Sequence, residues 1–131
     1  MNYLLDTGPW LWTLTEPERA NNQAAKLIAN GKEQVYLSAV SAWEISIKWA
    51  LGKLHLPEPP AVLVSKTMVA QGLRPLTITH AHSLAVSDLP RHHTDPFDRL
   101  LIAQAQMEGM TILTADRTFD RYDVKVLWCG Q

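Results

Sequence analysis

The sequence predicts an α/β fold in which helices cover both faces of a mainly parallel, five-stranded sheet. Short apolar runs alternate with longer segments of helical spacing along the whole chain. Such alternation is typical of parallel strands joined by helical crossovers. Hydrophobic residues make up 47% of the 131 residues, which is enough for one buried core. We therefore expect one domain over residues 1–131.

Proline, serine and glycine residues mark the predicted elements of the first half. Pro9 suits the first turn of a helix, because its missing N–H would have no partner there. Ser38 or Ser41 can cap the helix that carries Trp43, and the helical spacing predicts that Trp43 lies in the core. The elements are a strand over residues 3–5, a helix over 9–14, a helix from Glu16 and Pro17 to Asn30 and Gly31, a strand over 35–37, a helix ending at Gly52, and a helix over 61–71.

The second half is divided in the same way. Pro75 places the extended segment around it at a sheet edge, because proline cannot donate to a strand ladder. Thr79 and Asp95 are suited to cap helices, and Gly109 to end one. The elements are an extended segment over residues 73–78, helices over 79–87 and 95–108, a strand over 110–114, a helical turn over 116–120, and a strand over 124–128.

Composition excludes several classes of protein. The net charge of −1 gives no overall basic field for nucleic acid, so such a ligand would need a local patch or bridging metal ions. The single cysteine, Cys129, excludes an internal disulfide and a thiolate zinc site, and it fits a reducing cytoplasm. The N-terminus lacks the basic region of a signal peptide, and no apolar run approaches the ~20 residues of a membrane helix.

The segment HTDPFDRLLIAQA, residues 93–105, contains a carboxylate that its helix does not require. Asp95 precedes Pro96 and is interpreted as a structural N-cap. Asp98 shares a helix face with Leu101, so it lies on the side that should be buried. A charge on that face indicates a function beyond helix stability.

Four acids are expected at one edge of the sheet. Asp6 follows the first strand, and Asp116 follows the strand over 110–114. Glu44 and Asp98 lie early in helices that run antiparallel to the strands, so these helices begin at the same edge. Ligands of open parallel sheets bind beyond the carboxyl ends of the strands. We therefore expect the four carboxylates to meet in one depression.

Each acid also has a structural alternative. Asp6 could form an Asx turn, Asp116 could cap the following turn, and Asp98 could interact with the helix dipole. Glu44 could pair with Lys48 one helical turn away. No single acid indicates a functional site by itself, but the predicted common location of all four acids does.

Clustered carboxylates indicate a divalent cation. Each negative charge raises the pKa of its neighbours, and oxygen ligands favour Mg²⁺ or Mn²⁺. Such an ion keeps open positions for phosphate oxygens and water, which predicts phosphodiester hydrolysis. The sequence does not indicate whether one or two ions bind.

The sequence resembles the PIN-domain ribonucleases, and most closely the VapC-type toxins of bacterial type II toxin–antitoxin systems. The matching segments are LLDTGPWLW, SAVSAWEISIKWALGKL, HTDPFDRLLIAQA and TILTADRTFDRY, in family order. The resemblance implies a PIN-like three-layer α/β/α fold and a magnesium-dependent endoribonuclease toxin. It implies metal-binding and catalytic roles for Asp6, Glu44, Asp98 and Asp116. It also implies a cognate antitoxin and a homodimer.

Basic residues close to the acids in sequence could contact RNA. Arg99 is the candidate for a phosphate contact, which would add salt-dependent affinity. Arg117 and Arg121 are interpreted as balancing nearby carboxylates. His92 and His93 could act as general acids, although exposed loop histidines are more common.

Five tryptophans are many for a chain of 131 residues. Trp10, Trp12 and Trp49 are predicted to line a partner or dimer surface, because tryptophan is enriched in binding hot spots. Core packing is the alternative, particularly for Trp10.

Two other functions fit an α/β chain with an aspartate after its first strand. An aspartate-dependent phosphatase usually has a second acid two residues later, where this chain has Gly8. A non-catalytic binding module is the second alternative. A receiver domain would need a phosphate-accepting aspartate at the end of the third strand, where this chain has Thr79 and His80, and an inactive nuclease would have lost one of the acids. Neither is observed in the sequence.

Overall fold

The fold follows the alternation of strands and helices that the sequence predicts. The structure, a computed structural model, describes residues 1–30 and 34–131. Its strands are β1 (Asn2–Leu5), β2 (Gln34–Ser38), β3 (Arg74–Leu76), β4 (Thr111–Thr114) and β5 (Val126–Trp128). Its α-helices are α1 (Thr7–Thr15), α2 (Asn22–Asn30), α3 (Ala39–Ala50), α4 (Pro60–Gln71), α5 (His80–Ala85) and α6 (Pro96–Glu108). Short 3₁₀ helices cover Pro17–Arg19, Val86–Asp88 and Arg117–Arg121.

One five-stranded sheet in the order β3-β2-β1-β4-β5 organises the chain, and its strand pairs are parallel. The α/β prediction with a mainly parallel sheet is therefore confirmed. β1 lies at the centre, where Leu5 pairs with Leu37 on one side and with Leu113 on the other. Pro75 lies in β3 at one edge of the sheet, as predicted for a residue that cannot donate to a strand ladder.

The two faces of the sheet bury separate apolar clusters. Successive side chains of a strand point to opposite faces, so Leu4 and Leu5 enter different clusters. The Leu5 cluster includes Trp10 and Ile45, and the Leu4 cluster includes Phe119. Both clusters are closed by helices, which gives the three-layer arrangement.

The predicted caps begin and end the helices near the site. Ser38 accepts a hydrogen bond from the Val40 amide at 3.0 Å and starts α3. Asp95 accepts from the Phe97 amide at 2.8 Å and starts α6, which ends at Gly109 with φ of 67°. Thr79 starts α5 through a capping box with His82.

The predicted second helix is divided in the structure. Its first turn is the 3₁₀ segment Pro17–Arg19, and α2 begins only after Asn21. The Asn21 amide group donates to the carbonyls of Trp128 and Gly130, and its backbone N–H donates to Cys129. These bonds to the C-terminal segment hold Asn21 out of a continuous helix. The predicted helix end at Gly31 lies outside the described residues.

The prediction that Trp43 lies in the core is wrong. Trp43 is 52% exposed, and its ring meets Phe97 edge-on with centroids 5.0 Å apart. The buried face of α3 is instead formed by neighbouring positions that include Glu44 and Ile45. The face that enters the molecule therefore carries an acid.

Of the helices in the described ranges 1–30 and 34–131, none combines the length and the hydropathy required to cross a membrane.

Candidate active site

Thr114 joins two of the predicted acids at the carboxyl ends of β1 and β4. Its hydroxyl donates to Oδ2 of Asp6 at 2.8 Å and accepts from the Asp116 amide at 3.0 Å. Oδ1 of Asp6 also accepts from the Thr7 amide at 2.8 Å, which starts α1. Asp6 and Asp116 are thus positioned by the pairing of two central strands.

Glu44 enters the same edge of the sheet from α3. It is buried, and its carboxylate accepts a hydrogen bond from Lys48 Nζ at 2.5 Å. The beginning of α3 is tied to α1 because the Thr7 hydroxyl donates to the Ser41 hydroxyl at 2.8 Å. The Glu44–Lys48 pair that we gave as a structural alternative from the sequence is therefore present. It does not make Glu44 an exposed helix residue.

Asp98 is the most perturbed acid of the group. Its burial and, after that, the negative charges of Asp6, Asp95, Glu44 and Asp116 together raise its pKa to about 8. Its side chain is only 21% exposed. The location of Asp98 on the inner face of α6 was predicted from its spacing to Leu101, which is buried.

Asp6 has a raised pKa for the same principal reason. Burial raises the pKa of Asp6 to about 6, although its bonds from Thr114 and Thr7 favour the charged form. The charges of Glu44 and Asp116 act in the same direction as burial. The hydrogen bonds of Asp6 therefore do not offset its burial and the negative charges near it.

His93 is the functional candidate whose position the sequence did not establish. Its Nε2 lies 2.9 Å from Oδ2 of Asp116 and 3.9 Å from Oδ2 of Asp98. The imidazole stacks on Tyr122 with an interplanar angle of 9° and packs against Phe119. Its side chain is 9% exposed, which differs from an ordinary loop histidine. The proximity of His93 to Asp98 in the sequence was the only signal available.

Asp116 differs from the other acids in the direction of its shift. Partial burial favours its protonated form, but hydrogen bonds with His93 and Thr118 hold its pKa below the usual range. The Thr118 amide donates to Oδ1 at 2.9 Å, as expected for the cap of the following turn. Asp116 thus combines the predicted cap with a contact to the histidine.

The donor set fits a divalent cation. Within the described part of the chain, one group presents three ligand atoms within 4.8 Å of one another, and it consists of His93, Asp98 and Asp116. Asp6 and Glu44 lie near enough for their charges to act on Asp98. Carboxylate oxygens with raised pKa values are suited to an ion that neutralises them.

Arg99 is held by backbone carbonyls. Its guanidinium donates to Pro90 at 2.8 Å, to Val86 at 3.0 Å and to Leu89 at 3.3 Å. These bonds fix the segment that leads towards His93. A phosphate contact by Arg99 would use its other N–H groups, and that contact stays a prediction.

The three tryptophans assigned to a partner surface lie in different environments. Trp10 is fully buried, and its indole N–H donates to Gln71 at 2.9 Å, so the packing alternative describes it. Trp12 is partly buried against the Leu5 cluster, with the Arg19 guanidinium 4.6 Å from its ring centroid. Trp49 is 41% exposed on α3. The structure does not bring these three indoles onto one surface, because Trp10 is inside.

Known proteins resemble this chain in sequence and in fold. It is 30% identical to Ribonuclease VapC22 of Mycobacterium tuberculosis over 115 residues, 87% of this chain and 86% of that protein. It is 42% identical to Ribonuclease VapC16 of the same organism over 64 residues, 49% of this chain but only 45% of that protein. Its fold is similar to a chain in the crystal structure of VapBC2 from Rickettsia felis bound to a promoter DNA fragment. That similarity has a TM-score of 0.75 at 15% identity, and it covers 99% of this chain and 100% of the other.

The family model for the PIN domain matches residues 3–125, which include all four acids at the carboxyl edge of the sheet. Together with the parallel five-stranded sheet, this match shows that the chain belongs to the PIN domain family.

Proposed function

We propose that this protein is a metal-dependent endoribonuclease that acts as the toxin of a toxin–antitoxin pair, with residues 1–131 forming one catalytic domain. The observation that carries the proposal is the convergence of Asp6, which is buried, and Asp98, which is partly buried, at the carboxyl edge of the sheet, where both have raised pKa values. Buried acids without compensating charge are typical of functional sites. The names of the two ribonuclease relatives support the choice of RNA as substrate.

The proposed metal ligands are Asp6, Glu44, Asp98 and Asp116. Oxygen ligands favour Mg²⁺, with Mn²⁺ as the alternative. When bound, such an ion lowers the pKa of its water and neutralises charge that develops on the phosphate. This chemistry is hydrolysis of an RNA phosphodiester bond.

The residues around the acids position them for that reaction. Thr114 holds Asp6 by a hydroxyl donor and Asp116 by a backbone bond. Lys48 balances the charge of Glu44 without entering the buried part of the edge, since its side chain is 46% exposed. Burial of Asp6 and Glu44 limits the number of waters that could compete for their oxygens. The polar contacts of the acids therefore keep a fixed arrangement for an incoming ion.

The proposed partner is a cognate antitoxin, and the proposed assembly contains a homodimer. The similarity in fold to a VapBC2 chain supports this partner, because that structure is a complex on promoter DNA. We assign the exposed Trp49 to a protein contact, and the partly buried Trp12 is the second candidate for such a contact. The single cysteine is consistent with action in a reducing cytoplasm.

The test is cleavage of structured RNA by the purified chain with Mg²⁺, with Mn²⁺ or with chelator, followed by mapping of the cut positions. We expect defined internal cuts that require the ion. Asp6→Asn should lower the cleavage rate by roughly 1,000-fold, because a lost ion removes several kcal/mol of stabilisation at about 1.4 kcal/mol per tenfold in rate.

Asp123→Asn is the matched control, because Asp123 is exposed and precedes β5 at the opposite end of the sheet. It should cleave as the unmodified chain does. Cleavage that persists in chelator, or that Asp6→Asn leaves intact, would contradict the proposal. Hydrolysis of phosphomonoesters without RNA cleavage would instead favour the aspartate-dependent phosphatase.

A further inference from the structure

His93 is built into the candidate site by contacts on three sides. Its ring stacks on Tyr122 and packs against Phe119, and the backbone N–H of His93 donates to the Tyr122 hydroxyl at 2.8 Å. The same hydroxyl lies 3.1 Å from Nδ1 of the imidazole. The side chain is 9% exposed, and these contacts fix the direction in which its other nitrogen, Nε2, points. That direction is towards Asp98 and Asp116.

The spacing of the three side chains fits a common metal ion. Nε2 of His93 is 2.9 Å from one oxygen of Asp116 and 3.9 Å from one oxygen of Asp98. Adjacent ligands of an octahedral ion with bonds of about 2.1 Å are separated by ~3 Å. The 2.9 Å separation therefore matches two neighbouring positions on one ion, and all three ligand atoms lie within 4.8 Å of one another.

Nδ1, the ring nitrogen that faces Tyr122, has the partner that a metal-binding histidine needs. Histidines that bind metals usually donate the other ring N–H to an acceptor, which fixes the tautomer and the ring orientation. For Nε2 to bind an ion, Nδ1 must carry the proton, and the Tyr122 hydroxyl is placed to accept it. Tyr122 itself is 5% exposed, so this acceptor is held in place by the core.

We propose that His93 is a nitrogen ligand of the metal site, beside Asp98 and Asp116, and that it gives the site a preference for Mn²⁺ over Mg²⁺. The inference rests on the proposed function, because it concerns the same site. Mg²⁺ is a hard ion that favours oxygen ligands, whereas imidazole suits the first-row transition metals, of which Mn²⁺ also accepts carboxylates. A mixed set of one nitrogen and several carboxylate oxygens therefore selects the transition ion.

The experiment measures metal binding directly on the full chain. Mn²⁺ and Mg²⁺ are titrated separately by calorimetry, and the Mn²⁺ complex is examined by electron spin-echo envelope modulation for coupling to ¹⁴N. We expect tighter binding of Mn²⁺ and a ¹⁴N coupling in the unmodified protein. His93→Phe keeps an aromatic ring on Tyr122, and should remove the coupling and weaken Mn²⁺ binding by at least roughly tenfold. Binding of Mg²⁺ should change by less than about threefold, because its preferred oxygen ligands remain.

His92→Phe is the matched control, because the neighbouring His92 also packs on Tyr122, edge-on at 4.9 Å, but does not belong to the three-residue group. It should retain both the coupling and the affinity. A Mn²⁺ complex without ¹⁴N coupling in the unmodified chain would overturn the inference, whether or not His93→Phe folds. Equal Mn²⁺ affinity in His93→Phe and the unmodified chain would overturn it as well.

A third variant separates this inference from the proposed function. Asp98→Asn should weaken both ions if the acids form the metal site. If Asp98→Asn loses Mn²⁺ while the unmodified complex shows no ¹⁴N coupling, the metal site stands and the role of His93 falls. If the unmodified chain binds neither ion, both proposals fail.

Discussion

Two histidines with largely enclosed side chains, His82 and His93, each contact a carboxylate, but only His93 faces the candidate site. Nε2 of His82 lies 3.0 Å from Glu108, and its Nδ1 accepts from the Thr79 amide in the capping box of α5. Nε2 of His93 lies 2.9 Å from Asp116, with Asp98 as a second acid 3.9 Å away. At the level of one histidine–carboxylate contact the two residues look alike.

Their surroundings separate them. The ring of His82 is enclosed by groups of its own helix, by Glu108 and by the amide of Gln104 at 3.3 Å, so its contacts stabilise α5 against α6. The ring of His93 is fixed from behind by Tyr122 and aims into a group of acids with unbalanced charge. A histidine–carboxylate contact is therefore weak as an indicator of function. A second acid with a strongly raised pKa is the feature that distinguishes the site.

The largest expected effect concerns stability without metal at the acidic edge. The folded-state pKa values of Asp6 and Asp98 are raised to about 6 and about 8, so the folded state holds protons that the unfolded chain releases. In chelator, the contribution of these two groups to the free energy of unfolding should therefore be highest below about pH 4. It should fall as the pH rises through the folded-state pKa values of about 6 and about 8. Asp98→Asn should remove the share of this decrease that Asp98 contributes between about pH 4 and about pH 8, on the order of 5 kcal/mol, as measured by urea unfolding.

Glu108→Gln tests whether the His82 pair behaves in the same way. Glu108 belongs to no comparable group of acids in the described residues, so this variant should keep the full decrease of the unmodified chain. An equal flattening in both variants would contradict the distinction between the two histidines. A large loss of stability in Asp98→Asn at all pH values would indicate a structural role for Asp98.

A smaller effect is expected from removal of the other histidine. His82→Ala should lower the free energy of unfolding by about 2–4 kcal/mol, because it opens a cavity and leaves the Thr79 amide without its side-chain partner. Mn²⁺ binding by the folded variant should be unchanged. His80→Ala, at an exposed position of the same helix, should cost less than about 0.5 kcal/mol. A loss of metal affinity in His82→Ala would remove the contrast with His93.

The smallest effect on stability is expected at Trp49, which belongs to neither histidine contact. Trp49→Ala should change the free energy of unfolding by less than about 1 kcal/mol, because the side chain is 41% exposed. The same variant should weaken partner or dimer binding by about 2 kcal/mol, as measured by calorimetry or sedimentation. Val69→Ala, at an 83% exposed position, should leave both quantities unchanged. Unfolding of Trp49→Ala would support packing in place of a partner contact.

Local chemistry made much of the fold predictable. Asp95, Ser38 and Thr79 act as caps because short polar side chains satisfy free amides at helix starts, and such bonds need only neighbouring residues. The placement of Asp98 on the inner face of α6 follows from helical spacing in the same way. The common edge of Asp6 and Asp116 required one further step, the parallel order of the strands.

The remaining features depend on contacts between distant parts of the chain. His93 is positioned by Tyr122, 29 residues later, so its own segment gives no sign of burial. Asn21 is drawn out of a helix by the C-terminal residues, more than 100 positions away. The exposure of Trp43 reflects how α3 is rotated against the sheet, and helical spacing alone allows more than one rotation.

The Thr114 hydroxyl that lies between Asp6 and Asp116 should hold these two acids together while other parts of the protein open. Asp6 and Asp116 follow β1 and β4, two adjacent inner strands, where a slip by one residue would turn a side chain to the opposite face of the sheet. Core strands are usually the last elements to exchange their amide hydrogens, and loops and peripheral helices open first. This half of the acid cluster should therefore persist through local unfolding of the outer layers, so that reclosing of α3 and α6 would restore the complete set.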